Sequence, residues 1–288
     1  MDYRYYNQRL NICLVAALII IAGCAPEMQK PVPLFPGKES PDEAISILRL
    51  RSKNAPPLKA SGGGNITNYI DGKKKKQSVP LKLWVNPPAE IYIQGDIAFD
   101  PKALIAGSNE KDFWLAVSLK EVSSYWWSQW ADETFPQELI LSPNILLDAL
   151  GFAQIDSDQN WSLSNEGAFD ILAKQNDQGV VIKKIYILNS RNYPIKRIEY
   201  FNNDGKPVIV TKLDKYKQLT DDLSIPTIME ITNVNEDNEN DSVEIKLGSI
   251  KPTDLTDKQR TRLFTRPQPR GFKHVYKIID GDIIEQPQ

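Results

Sequence analysis

Tyr193-Pro194-Ile195-Lys196-Arg197-Ile198-Glu199-Tyr200-Phe201-Asn202-Asn203-Asp204-Gly205-Lys206-Pro207-Val208 reads as two β-strands about a tight turn. Asp-Gly between two alternating runs supplies the positive backbone angles that a hairpin turn demands. The second strand continues from Lys206 to Tyr216, and Ile225-Pro226-Thr227 opens a further one that runs through Thr232. Both lie within range of antiparallel pairing.

The same texture extends in both directions from this hairpin. Upstream, short β-branched or alternating runs predict strands at Lys59 to Tyr69, Ser78 to Val85, Glu90 to Gly95, Ala98 to Ala106, Asp112 to Leu119, Ser123 to Trp127, Trp161 to Ser164, Gly167 to Gln175 and Val180 to Leu188. Downstream, Ser242 to Leu247 predicts one more, after a polar loop from Asn233 to Asp241. Gly62-Gly63-Gly64 lies within the first of these strands and reads as a bulge in a curving sheet. Asp71-Gly72 turns the chain into Lys73 to Lys76, which reads as a solvated hairpin tip.

Helices are few. Ser40 caps a helix opened by Pro41, with Ile45 and Leu48 on one face, and it stops before Ala55-Pro56-Pro57. Asn144 to Gly151 predicts a second, with Ile145, Leu146, Ala149 and Leu150 at helical spacing and a glycine stop. Asp254 to Ile279 predicts a short helix and an arm over the sheet, rich in basic residues, and residues 280–288 a flexible tail.

The amino-terminal end has another character. Arg4 and Arg9 precede an apolar run from Ile12 to Ala22 of about eleven residues, well short of the roughly twenty a membrane span needs. Residues 1–23 therefore read as a signal peptide. Ile21-Ala22-Gly23-Cys24 resembles the bacterial lipobox, which implies a lipidated Cys24 as first mature residue and membrane anchor. Cys13 would be discarded, leaving one thiol and no internal disulfide. Residues 24–40, with Pro26, Pro31, Pro33 and Pro36, read as a tether, and residues 41–279 as one domain.

Composition sets further bounds. With 41% hydrophobic and 25% charged residues and a net charge of -2, the chain is globular and lacks the basic excess of a nucleic-acid binder. His274 is the only histidine, and neither a Gly-x-Ser-x-Gly turn, a phosphate-binding glycine loop nor a metal-ligand spacing accompanies it. No enzyme, cofactor or metal is expected. The acidic Asn233 to Asp241 stretch lacks the glycine-set turn of a calcium loop.

What remains conspicuous is bulk. Trp84, Trp114, Trp126 and Trp127, with Ile91, Ile93, Phe99, Leu104, Leu115 and Val117, exceed what one face of a small sheet uses, and they are the candidate lining of an apolar cavity. Each could equally be ordinary core.

Taken in order, the leading helix, the long meander, the short helix near Leu146 and the hairpins after Tyr193 resemble the LolA/LolB-like lipoprotein-localisation superfamily. The Pro194 strand, the Asp204-Gly205 hairpin and the Ile225-Pro226 strand entry carry the likeness. The resemblance implies a mainly β (α+β) fold, an antiparallel, strongly curved incomplete β-barrel covered by a few short helices. It implies a lipid-anchored envelope protein that binds acyl chains or lipoproteins in the half-barrel, receives them from a soluble periplasmic carrier and stands at the outer membrane, a destination favoured by Ala25 after the cysteine. A cavity of several hundred cubic ångströms between sheet and helices is the corresponding expectation. A second reading is a structural or partner-binding lipoprotein whose core is filled by its own side chains. A third is glycan binding on exposed Trp126, Trp127 and Trp130.

Overall fold

A computed structural model describes residues 32–70, 72–97, 100–118, 122–130, 140–152, 155, 160–235, 240–279 and 282–287. Cys24, the signal segment and most of the tether, Asp71, Phe99 and residues 236–239 lie outside the described residues. Residues 34–288 form one compact unit, which contains every strand and helix described.

The described chain is mostly β. Its strands are β1 (Leu58–Ile70), β2 (Lys73–Asn86), β3 (Glu90–Ile97), β4 (Asp100–Ser108), β5 (Asp112–Ser118), β6 (Ser123–Gln129), β7 (Trp161–Glu166), β8 (Phe169–Gln175), β9 (Val181–Leu188), β10 (Ile195–Phe201), β11 (Pro207–Thr220), β12 (Leu223–Asn233), β13 (Ser242–Pro252), β14 (His274–Ile279) and β15 (Asp282–Glu285). They form one sheet in the order β15-β14-β6-β5-β4-β3-β2-β1-β13-β12-β11-β10-β9-β8-β7. Edge strands β15 and β7 do not pair, so the curved sheet stays open. Every neighbouring pair is antiparallel except β6 with β14, which run parallel.

Curvature has a local cause in β1. The register against β13 shifts between Ser61 and Gly62, a bulge at the glycine run. A Cβ on Gly62 would collide with the Lys246 carbonyl oxygen. Only glycine lets β13 approach this closely.

The hairpin after Tyr193 forms where expected, with β10 and β11 paired from Arg197 to Phe201. Its turn is held by Asn202, whose backbone N–H donates to the Lys206 carbonyl at 2.9 Å and whose side-chain oxygen accepts from the N–H groups of Asp204 and Lys206. Lys73 to Lys76 are exposed, but they belong to β2 and pair with the end of β1.

Three helices are described: α1 (Pro41–Asn54), α2 (Pro143–Ala149) and α3 (Asp257–Phe264). Ser40 caps α1 by accepting from the Glu43 N–H at 3.2 Å, and Ala44, Ile45, Leu48 and Ser52 are its buried face. Helix α2 ends as predicted at Gly151, whose φ of 84° suits glycine. The Phe152 N–H reaches the Leu147 carbonyl and the Gly151 N–H that of Asp148, at 2.8 and 2.9 Å, closing the helix in a Schellman motif.

Topology explains where α2 lies. Strands β6 and β7 are consecutive in sequence, yet eleven strands separate them in the sheet. Their connection carries α2 across the concave face, against β2, β3, β12 and β13.

Two expectations about the carboxyl-terminal region are corrected. After α3 and an extended arm the chain re-enters the sheet as β14 beside β6, rather than only lying over it. Residues 282–285, assigned to a flexible tail, form β15 paired with β14. Val275 and Ile278, both buried, fix β14 in the sheet, and exposed β15 pairs along its free edge from Tyr276–Glu285 to Ile279–Asp282.

Candidate functional site

The concave face is built from matched rows of side chains. Reading across register, Leu83 faces Ile93, Ile93 faces Ala106, Ala106 faces Leu115 and Leu115 faces Trp126. On the other half, Ile245 faces Met229, and Ile198 lies between Ile185 and Thr211. Ile91, Ile93, Leu104 and Leu115 all belong to the main core cluster, and Val117 and Trp126 pack against it. Six of the sequence candidates therefore share this face.

Three others point away from it. Trp84 meets Tyr92 at 5.9 Å between ring centroids on the convex side, with the Lys59 ammonium 5.4 Å from its ring. Trp114 belongs to a separate cluster with Ala116, Tyr125 and Val275, against which Trp127 packs. Strand period explains the error: neighbours such as Trp126 and Trp127 leave opposite faces of one strand. Phe99 and Cys24 fall outside the described residues.

The convex cluster is covered by the chain's own arm. The Tyr125 hydroxyl donates to the Pro267 carbonyl at 2.8 Å, Phe272 packs on the Tyr125 ring at 5.5 Å, and the Arg266 guanidinium stands 3.9 Å over Trp127. Burial pushes the Tyr125 phenol up to about 12, against the opposing pull of Arg266. Trp126 is stacked with Tyr276 at 5.7 Å. Trp126 and Trp127 thus do not form one exposed platform for a sugar.

On the concave side the expected hollow is closed. Leu146 and Leu150 of α2 press on Leu81, Leu83, Ile93, Met229, Ile245 and Leu247, leaving a cavity of about 10 Å³. All of α2 except Asn144 is buried. A wider groove of about 1100 Å³ lies elsewhere, at the α1 end beside Phe35, Leu50, Arg51, Tyr193 and Asp221, and its lining mixes both charges with apolar groups.

Helix α2 is also fastened by polar contacts that the sequence reading missed. The Asp148 carboxylate accepts from the Lys183 ammonium and the Tyr200 hydroxyl, and Lys183 lies 5.4 Å from the Tyr200 ring. Burial, then the Asp148 charge and hydrogen bond, raises the Tyr200 phenol well above its ordinary range, so it remains a donor. The parity of β9 carried the signal, because Lys183 shares it with buried Ile185 and Ile187. Thr211, on the same face, has a buried hydroxyl with no hydrogen-bond partner.

A second buried carboxylate pins the amino-terminal end of the domain. Asp170 accepts from the Lys38 backbone N–H, the Asn165 and Asn189 amides and the Tyr193 hydroxyl at 3.0, 2.7, 2.9 and 2.6 Å. No three His, Cys, Asp or Glu side chains among the described residues are grouped to hold a metal ion.

An open, strongly bent antiparallel sheet with short helices on its concave face defines a LolA-like half-barrel. Solved structures bear this out. A putative outer membrane lipoprotein-sorting protein domain from Vibrio parahaemolyticus matches with a TM-score of 0.55 and 12% identity, over 76% of this chain and 95% of that one. A LolA superfamily protein from Nitrosomonas europaea matches at 0.52 and 12%, over 80% and 99%. A DUF1329 family protein from Desulfovibrio piger matches at 0.52 and 13%, over 77% and 96%. No protein-family model matches the sequence, and no curated protein matches it either.

Proposed function

We propose that this chain is a non-catalytic lipid-handling protein of the cell envelope, which receives acyl chains of lipids or lipoproteins on its concave face and passes them to a membrane. The observation that carries the reading is the covering of that face. An apolar sheet interior in an open barrel is occupied by a helix of only seven residues, inserted between consecutive strands, whose polar contacts to the sheet among the described residues meet at the Asp148 carboxylate. A short helix of this length has little stability of its own, so its leucines can be exchanged for an acyl chain of similar apolar area at small net cost. The neighbours named for lipoprotein sorting and the LolA superfamily have the same fold.

Anchoring through a lipidated Cys24, on the strength of the lipobox resemblance, and delivery by a soluble periplasmic carrier to the periplasmic face of the outer membrane, on the strength of the LolA/LolB-like resemblance and of Ala25, complete the proposal. A specific observation favours the second reading, a structural or partner-binding lipoprotein: the residual space of about 10 Å³ is what a permanently filled core would leave.

Lipid extraction and mass spectrometry of the purified protein separate the two. Co-purified lipid, and displacement of a fluorescent fatty acid by unlabelled lipid, are expected of the carrier. Protein that is lipid-free and takes up no fatty acid would establish the filled core.

A further inference from the structure

A polar strip crosses the inner face at the end of β7 to β10 away from Asp170. Across β7, β8, β9 and β10 the register aligns Trp161 with Lys174, Lys174 with Lys183 and Lys183 with Tyr200. The adjacent row on the same strands, Leu163, Leu172, Ile185 and Ile198, is wholly apolar. Two lysines between two aromatic residues thus border a greasy surface.

A lysine on such a face is costly unless an anion meets it. In the closed protein that anion is Asp148, on the helix that also places Leu146 and Leu150 over Met229 and Ile245. Helix α2 therefore presents to the sheet a carboxylate and, beside it, branched apolar side chains. From β9 to β12 is three strand steps, about 14 Å, a span that a long acyl chain covers. Carboxylate and leucines together occupy the ground of a negatively charged amphiphile.

We propose that Lys183, with Lys174 and Tyr200, forms a binding site for the anionic head group of a lipid, carboxylate or phosphate, and that Asp148 fills it in the unloaded protein as an internal stand-in. This rests on the acyl-binding reading above and names the ligand class. Displacing α2 for an uncharged chain strands the Lys183 ammonium, whereas an anionic lipid replaces the Asp148 carboxylate as it replaces the leucines. Discrimination arises from that difference.

The full chain, reconstituted in lipid nanodiscs, is labelled with photoreactive palmitic acid, hexadecyl phosphate or hexadecanol, each bearing the diazirine at the same chain position. Crosslinks on β9 to β13 are quantified by mass spectrometry. The ratio of acid to alcohol labelling is insensitive to the folded yield and is expected to be about tenfold, the worth of one charge-assisted contact. Lys183→Met should bring it near one, Lys183→Arg should preserve it, and Asp148→Asn should increase labelling by the acid. The acid and phosphate arms identify which head group binds better. Equal labelling by acid, phosphate and alcohol, or an unchanged ratio in Lys183→Met, overturns the head-group site while leaving acyl binding intact. Absence of concave-face crosslinks with every probe overturns both.

Discussion

Asp148 of α2 and Lys183 of β9 form an ion pair on the concave face, with only 10% and 14% of their side chains exposed. Breaking a buried pair from one side leaves an uncompensated charge, at about 3–5 kcal/mol, whereas replacing both partners by apolar groups is often close to neutral. Asp148→Leu and Lys183→Met are each accordingly expected to lower unfolding stability by about that amount, and the double variant carrying both to recover most of it. Urea unfolding of the two single variants and the double variant measures the coupling.

Leu146 is buried against the sheet beside the small cavity under α2. Leu146→Ala should cost about 2–5 kcal/mol, the range for opening a cavity in a packed core. It should also raise uptake of a fluorescent fatty acid, because the space it vacates adjoins the remaining 10 Å³. Lower stability without a gain in uptake would speak for the filled core.

Burial alone would raise the Asp170 carboxyl, but hydrogen bonds from Tyr193, the Lys38 N–H, Asn189 and Asn165 outweigh it and hold it below the ordinary range. A depressed folded-state value stabilises the protein above the unfolded carboxyl's titration near pH 4, and the contribution disappears as pH falls through the lower folded value. Stability measured from pH 5 to pH 2 should decline less steeply in Asp170→Asn than in the parent, although the variant is weaker at pH 7.

Gly62 faces the Lys246 carbonyl so closely that any side chain must push β13 away. Gly62→Ala is expected to destabilise the domain by about 1–3 kcal/mol through this overpacking. Gly63→Ala, whose Cβ would find its nearest contact at 3.9 Å, is its control and should change stability far less. Thermal unfolding of the pair decides the matter.

Trp114 is fully buried on the convex face beneath the arm that carries Arg266 and Phe272. Phe272→Ala should loosen that cover, shifting tryptophan emission to the red and raising its quenching by acrylamide. Fatty-acid uptake on the opposite face should be unaffected, because the two clusters are separate.

Much of the architecture is legible along the chain because strands and turns are local. The hairpin at Asn202 to Gly205, the Gly62 bulge and the start and stop of α1 and α2 each follow from a few adjacent residues, and each forms where those residues place it. Cavity residues were harder. Trp84, Trp114 and Trp127 have the bulk of a lipid-site lining, but their parity sends them to the convex face. Lys183 and Asp148 carry no local mark as partners, being 35 residues apart.

The order of apolar, polar and turn residues by itself determined an antiparallel curved sheet, the three described helices and the pairing of successive hairpins. Period-two alternation defines two faces for every strand without saying which will be concave or what will cover it. Only the tertiary structure decided that the β6 to β7 connection crosses the concave side with α2, that the arm with Arg266 and Phe272 shields the convex tryptophans, and that β14 joins β6 in parallel. These contacts bring together residues distant in sequence, and such contacts depend on chain connectivity and complementary burial rather than on any local preference.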